Sequence, residues 1–132
     1  MVICLDGELG SGKTVFTKGL ANALGIKESV TSPTFTIIKE YNDGEMPLYH
    51  MDVYRLKQPE EMYDLGYEEY FYGEGVTVVE WAQIIEPLLP DEYLGMEISV
   101  VPEGRELSFV PHGDRYERLI EELTGCDYSK YR

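Results

Sequence analysis

The octapeptide Gly7-Glu8-Leu9-Gly10-Ser11-Gly12-Lys13-Thr14 fits the pattern G-x-x-x-x-G-K-S/T in full, and this stretch constrains the chain more than any other. Glycines let the backbone bend through positive φ, so that successive amide hydrogens converge on a phosphate while the following helix adds its positive end. In that pattern Lys13 bridges the β- and γ-phosphates, and the Thr14 hydroxyl ligates magnesium. Glu8 and Leu9 fill variable positions of a loop that grips through its backbone. A chain of this length matches the pattern by chance roughly once in two hundred. The competing interpretation is an ordinary glycine-rich turn. Its weight falls because the mechanism demands a strand before the loop and a helix after it, and the sequence supplies both.

Residues 2–6, VICLD, form a short apolar run suited to a buried strand. Beyond Lys13, Phe16, Leu20, Ala23 and Leu24 recur at helical spacing, and Gly25 is placed to end the helix. A polar breaker stretch, Ser29 to Pro33, leads into FTIIKEY; Asn42-Asp43-Gly44 is a turn signal, and PLYHMDVY alternates after it, so residues 35–54 read as a hairpin. Pro59-Glu60-Glu61 opens a helix that Gly66 can close, with a second helical piece to follow. The run VTVVEW, residues 76–81, reads as a second buried strand, and MEISVV with ELSFV as a second hairpin about Pro102 to Arg105. Residues 114–124 predict a helix capped by Asp114 and stopped by Gly125, with Leu119, Ile120 and Leu123 on its apolar face. One domain is expected over residues 1–125, with 126–132 a frayed tail.

A nucleotide hydrolase or kinase also needs a carboxylate at the end of a nearby strand, to complete the metal shell and place the nucleophile. Glu80 ends VTVVE, and Asp52 lies in YHMDVY, where it shares a face with His50. We assign Glu80 to magnesium, directly or through water, and Asp52 to the attacking water, with the two roles exchangeable. Thr34, in Thr31-Ser32-Pro33-Thr34, could offer a hydroxyl to a γ-phosphate, against the plainer interpretation of a proline-stiffened loop. Trp81 is expected in the core or at a partner contact. Arg55 and Arg105 are the arginines to watch for stabilising a transferred phosphoryl group, with surface salt bridges the simpler assignment for each.

Charge bounds the partners. With 25 acidic and 11 basic residues the formal net charge is −14, spread along the chain. Nucleic-acid affinity comes largely from Lys and Arg neutralising phosphates, so direct binding of RNA or DNA is not expected and any RNA should be held by a partner. Simple solubility explains the sign of the charge equally well. The composition contains no apolar run of bilayer length, which predicts a soluble, cytoplasmic protein without membrane association. Cys4 and Cys126 lack the spacing of a zinc site or a disulfide scaffold and read as reduced thiols.

GELGSGKT, TSPTFTI, YHMDVYR and VVEW, in this order, together resemble the TsaE family of small bacterial ATPases that act in making the threonylcarbamoyladenosine modification of tRNA. The likeness runs from about Val2 to Val110 and includes the Pro-Glu-Glu helix opening and the EGRE turn. It implies an α/β fold of the P-loop NTPase type, three-layered with a mixed parallel/antiparallel sheet. It implies ATP and Mg2+ as ligands, with Thr14 and Glu80 at the metal, Asp52 needed for turnover and residues 32–34 as a switch-like segment. TsaD-like and TsaB-like proteins are the implied partners, whose complex the ATP cycle drives or resets, with weak ATPase activity expected of the chain alone. Members of that family usually carry a longer segment ahead of the loop, where six residues precede Gly7 here. An edge strand, a helix and part of the base pocket are therefore implied without residues to assign, and adenine contacts stay unassigned.

The alternative is a small-molecule or nucleoside kinase built on the same loop. It requires an acceptor site and a closing, usually arginine-bearing lid, for which no clear segment exists. A kinase labels an acceptor; an ATPase releases inorganic phosphate. A GTP switch lacks its Asn-Lys-x-Asp guanine reader here, and a scaffold without chemistry predicts tight ATP binding with no hydrolysis.

Overall fold

Strands β1 (Val2–Gly7), β2 (Ile38–Tyr41), β3 (Leu48–Asp52), β4 (Val76–Glu80), β5 (Tyr93–Val101) and β6 (Gly104–His112) form one six-stranded sheet in the order β2-β3-β4-β1-β5-β6. This is a computed structural model, and it describes residues 1–8, 10–31, 33 and 37–124. The four central strands β3, β4, β1 and β5 run parallel, while β2 and β6 pair antiparallel at the two edges. The sheet is therefore mixed, as the family resemblance implied. Parallel strands must be covered on both faces, which explains why all five residues of β4 are buried and why its apolar run is unbroken until Glu80.

Alternation along β1 sends Ile3 and Leu5 to one face and Val2 and Cys4 to the other. On the first face they pack, with Val78 and Ile98, against Ala21 of helix α1 (Lys13–Ala23) and Tyr116 and Ile120 of helix α3 (Asp114–Thr124). On the second, Val2, Cys4 and Val79 meet Met62 of the 3-10 helix Pro59–Leu65, Phe71 of helix α2 (Tyr67–Phe71), and Ala82 and Ile85 of the 3-10 helix Ala82–Leu88. Three layers result.

Several expectations hold closely. Helix α1 ends at Ala23, and Gly25 takes φ +79 while Ile26 donates its N–H to the Ala21 carbonyl at 3.0 Å. Gly66, at φ +64, closes the 3-10 helix and opens α2. The expected hairpin over 35–54 is present as β2 and β3, though Phe35 and Thr36 lie outside the described residues, as do Ser32, Gly125 and the tail with Cys126.

Three differences have physical causes. The segment Ala82–Leu88, with no element foreseen, forms 3-10 turns interrupted at Ile85 (φ −114, ψ 24), because Pro87 prevents a regular helix while Ile85 itself is wholly buried. Helix α3 buries Tyr116 and Ile120 and leaves Leu123 67% exposed, so the apolar stripe is shifted from the one expected. Tyr116 sets that rotation, since its hydroxyl accepts the Val2 N–H at 3.0 Å. The second hairpin is longer than foreseen, nine residues in each strand, and places Arg105 inside β6.

Ile85→Ala should cost about 2–5 kcal/mol in urea unfolding if this 3-10 segment is a true part of the core; a surface loop would lose far less. Burial pushes the Cys4 thiol up to about 12. Alkylation at pH 8 followed by peptide mapping should therefore leave Cys4 unmodified in native protein and modify it in denaturant.

Candidate functional site

Strand β1 ends at Gly7 and α1 begins at Lys13. Gly10 and Gly12 sit at φ +80 and +113, conformations that side-chain-bearing residues rarely adopt. Gly7 is required for space: a Cβ there would lie 2.6 Å from Ser11 Oγ and 2.8 Å from the Ile98 carbonyl oxygen, which belongs to the sheet and cannot yield. Inside the loop the Ser11 N–H donates to the Glu8 carbonyl at 3.0 Å, and the Phe16 N–H to the Gly12 carbonyl at 2.9 Å. The side chain of Glu8 is exposed, as expected of a position where only the backbone grips. Ser11 Oγ is buried without a hydrogen-bond partner among the described residues.

Parallel pairing brings the candidate acids to the same edge of the sheet. Glu80 stands opposite Leu5 of β1 on one side and Asp52 of β3 on the other. Its side chain is directed to the α1 face, two residues beyond Val78. Lys13 Nζ lies 3.7 Å from Glu80 Oε1, with both side chains largely buried. His50, fully buried, places Nε2 at 2.6 Å from Glu80 Oε2. The Asp52 carboxylate is half-buried and accepts the Tyr54 N–H at 3.1 Å. Thr14 follows Lys13 in the first turn of α1 and is half-buried. Lys13, Thr14, Glu80 and Asp52 thus gather around one loop, whereas Leu9 and Thr34 lie outside the described residues.

Two contributions were not foreseen. Arg105, considered for a phosphoryl group or a surface salt bridge, instead donates Nε–H to the Ser11 carbonyl at 2.9 Å and Nη2–H to the Gly10 carbonyl at 3.4 Å. A carbonyl and the next residue's N–H point in opposite directions across one peptide plane. Arg105, by holding the Ser11 carbonyl, therefore turns the Gly12 N–H away from itself. Trp81, the residue after Glu80, takes φ +64, the one described non-glycine residue with positive φ. It is 36% exposed, with its ring 4.9 Å from Tyr54 and 5.4 Å from Lys13 Nζ. A strained aromatic beside a phosphate loop is a feature of sites more often than of cores. Neither signal is visible in local sequence, because one depends on strand register and the other on a backbone twist.

The residues suit a phosphate group chemically: loop amide hydrogens, a helix amino end and a lysine lie together, and the buried Ser11 hydroxyl has no partner among the described residues. Among the described residues no group of three or more His, Cys, Asp or Glu side chains is assembled to hold a metal. The Thr14 hydroxyl and Glu80 carboxylate are the kind of oxygen donors magnesium takes, one or two from protein with the rest of its shell from phosphates and water. No helix among the described residues is long and apolar enough to cross a membrane.

Comparison with known proteins is consistent with this arrangement. The family model for "Threonylcarbamoyl adenosine biosynthesis protein TsaE" matches residues 1–107. The tRNA threonylcarbamoyladenosine biosynthesis protein TsaE of Bacillus subtilis (strain 168) is 57% identical over 127 residues, covering 96% of this chain and 79% of that protein. Its namesake in Treponema pallidum (strain Nichols) is 46% identical over 108 residues, covering 81% and 79%. The crystal structure of Bacillus subtilis YdiB superposes with a TM-score of 0.77 at 52% identity, covering 94% of this chain and 76% of that one. On these matches, the chain belongs to the TsaE family of threonylcarbamoyl adenosine biosynthesis proteins.

Proposed function

We propose that the chain is a cytoplasmic ATPase of the tRNA threonylcarbamoyladenosine machinery, whose hydrolysis of Mg2+-bound ATP drives or resets a complex of TsaD-like and TsaB-like partners. The contact between Lys13 and Glu80 carries this reading. It joins the loop lysine to a strand-end carboxylate, the two charges such a reaction needs within reach of each other.

In this reading the loop amides and Lys13 bind the β- and γ-phosphates, with Thr14 and Glu80 holding Mg2+ and Thr34 near the γ-phosphate. Bound Mg2+ supplies charge neutralisation on the terminal phosphates. Asp52, in register beside Glu80, orients the attacking water, and exchange of roles between the two acids stays compatible with their adjacency. Before ligand arrives, Lys13 and Glu80 neutralise one another. With ligand bound, Lys13 would face phosphate and Glu80 the cation, so each buried charge would keep an opposite charge beside it. Arg105 acts as a clamp on the loop's outer side and keeps the Gly12 N–H directed inward. Partners are expected to carry the tRNA contact, since a chain of net charge −14 repels its backbone.

Phosphate release by this chain should be slow and rise when TsaD-like and TsaB-like proteins from the same source are added. Lys13→Ala should reduce the stimulated rate about a hundredfold or more. Transfer of labelled phosphate to an acceptor, or unchanged turnover with the partners present, would reject the reading. Arg105→Ala should weaken ADP binding by calorimetry about three- to tenfold, the worth of one or two charge-assisted hydrogen bonds at an exposed position, with Arg105→Lys between the two. Unaltered affinity in Arg105→Ala would remove the clamp.

A further inference from the structure

We infer that His50 is a positioning residue for the Glu80 carboxylate, fixing one oxygen so that the other faces the phosphate loop. The inference rests on the ATPase reading for its consequence in turnover, but its geometric basis is independent of that reading. His50 stands opposite Val78 in the β3–β4 register, two residues before Glu80 on the same face, so its ring reaches diagonally along the sheet. Nε2 lies 2.6 Å from Glu80 Oε2, a short contact between groups that are both buried, and since a carboxylate oxygen only accepts, the proton between them belongs on Nε2. The other oxygen, Oε1, is the one directed at Lys13 Nζ, 3.7 Å away. Each oxygen therefore has a different neighbour, and the carboxylate cannot rotate without giving up its bond to the histidine.

The ring's second nitrogen supports a role other than packing. Nδ1 of His50 is buried and has no hydrogen-bond partner among the described residues. A buried polar atom left unpaired is costly, and an apolar side chain of similar volume would avoid that cost. Stability alone does not single out histidine here, since leucine would remove the cost at Nδ1 but leave the buried Glu80 Oε2 without its donor. What histidine supplies that leucine cannot is a rigid N–H aimed at the carboxylate, the arrangement by which groups behind a metal ligand set its orientation.

Three forms of this chain test the inference: unmodified, His50→Leu, which keeps bulk and removes the donor, and His50→Gln, which restores an N–H at similar reach. Turnover of ATP is measured against Mg2+ concentration with the partner proteins present, and ADP affinity is measured in chelator. His50→Leu should raise the Mg2+ needed for half-maximal turnover, or lower kcat, by about tenfold or more. Its thermal midpoint should fall, because Glu80 Oε2 is left buried without its donor, while its metal-free ADP affinity should be unchanged. His50→Gln should recover most of the loss. Wild-type Mg2+ dependence and kcat in His50→Leu, or a His50→Gln variant as defective as His50→Leu, would overturn the inference. Ring 15N spectra of the ligand-free protein add a readout that needs no activity. They should show the His50 proton on Nε2 and shielded from exchange, and a proton found on Nδ1 alone would also overturn it. Failure of the ATPase reading would register instead in the unmodified chain, as absent hydrolysis with or without partners.

Discussion

Parallel hydrogen bonding of β1 to β4 sets the position of almost everything else in this molecule. Two strands that run the same way end at the same edge, so the pairing of Leu5 with Glu80 places the carboxylate where the loop leaves β1. Neither partner could be shifted by one residue. A slip in register would turn Glu80 onto the opposite face, among Met62, Phe71 and Ile85, and remove it from Lys13. Burial on both faces of β4 prevents that slip, because it would also exchange the side chains packed against α1 with those packed beneath the 3-10 helices. Core packing thereby fixes the lysine–glutamate separation.

How much of this was legible in the sequence depends on the range of the interaction. The loop, its strand and its helix are local, and glycine spacing together with apolar periodicity revealed them. Glu80 was found because an apolar run ended on an acid, which is again a local signal. His50 was noticed only as sharing a face with Asp52; its bond to Glu80 depends on a register between strands that are 30 residues apart. Arg105 reaches the loop from 94 residues away, and no spacing rule links a hairpin arginine to the carbonyl of Ser11. The 3-10 turns at Ala82–Leu88 escaped because Pro87 breaks the period that would have announced a helix. Leu123 was misplaced because helix rotation is set by Tyr116 and its contact with Val2, a long-range bond.

Arg105 and His50 approach the site from opposite sides of β1, one from β6 and the other from β3, and each holds a polar group that the loop cannot hold by itself. Arg105 takes carbonyl oxygens on the outer side of the loop. His50 takes one oxygen of the carboxylate behind it. Preorganisation of this kind matters because a free carboxylate or a free peptide plane must lose rotational freedom when a ligand arrives, and that loss weakens binding. Groups fixed in advance have already given it up during folding. The His50 Nδ1, without a partner among the described residues, and the positive φ of Trp81 show where the fold accepts a local cost at this edge.

The acidic surface bears on how the proposed ligand would be held. A chain with 25 acidic and 11 basic residues presents no general attraction to a nucleotide anion, and beyond about 8 Å salt screens what repulsion there is. Affinity must therefore come from donors at contact distance, namely the loop amides, the amino end of α1 and Lys13. Among these only Lys13 carries a full charge, and Glu80 already partly offsets it. An anion entering without a cation would take the lysine and leave Glu80 buried beside His50 with one oxygen unpaired, an expensive state for a carboxylate. Entry together with a divalent cation avoids that state, since the oxygen facing the loop gains a new partner as the lysine leaves. On the proposed reading, the Lys13–Glu80 pair would thus favour a metal-bound nucleotide over a free one, through the cost of a bare carboxylate and without any added contact to the base or sugar.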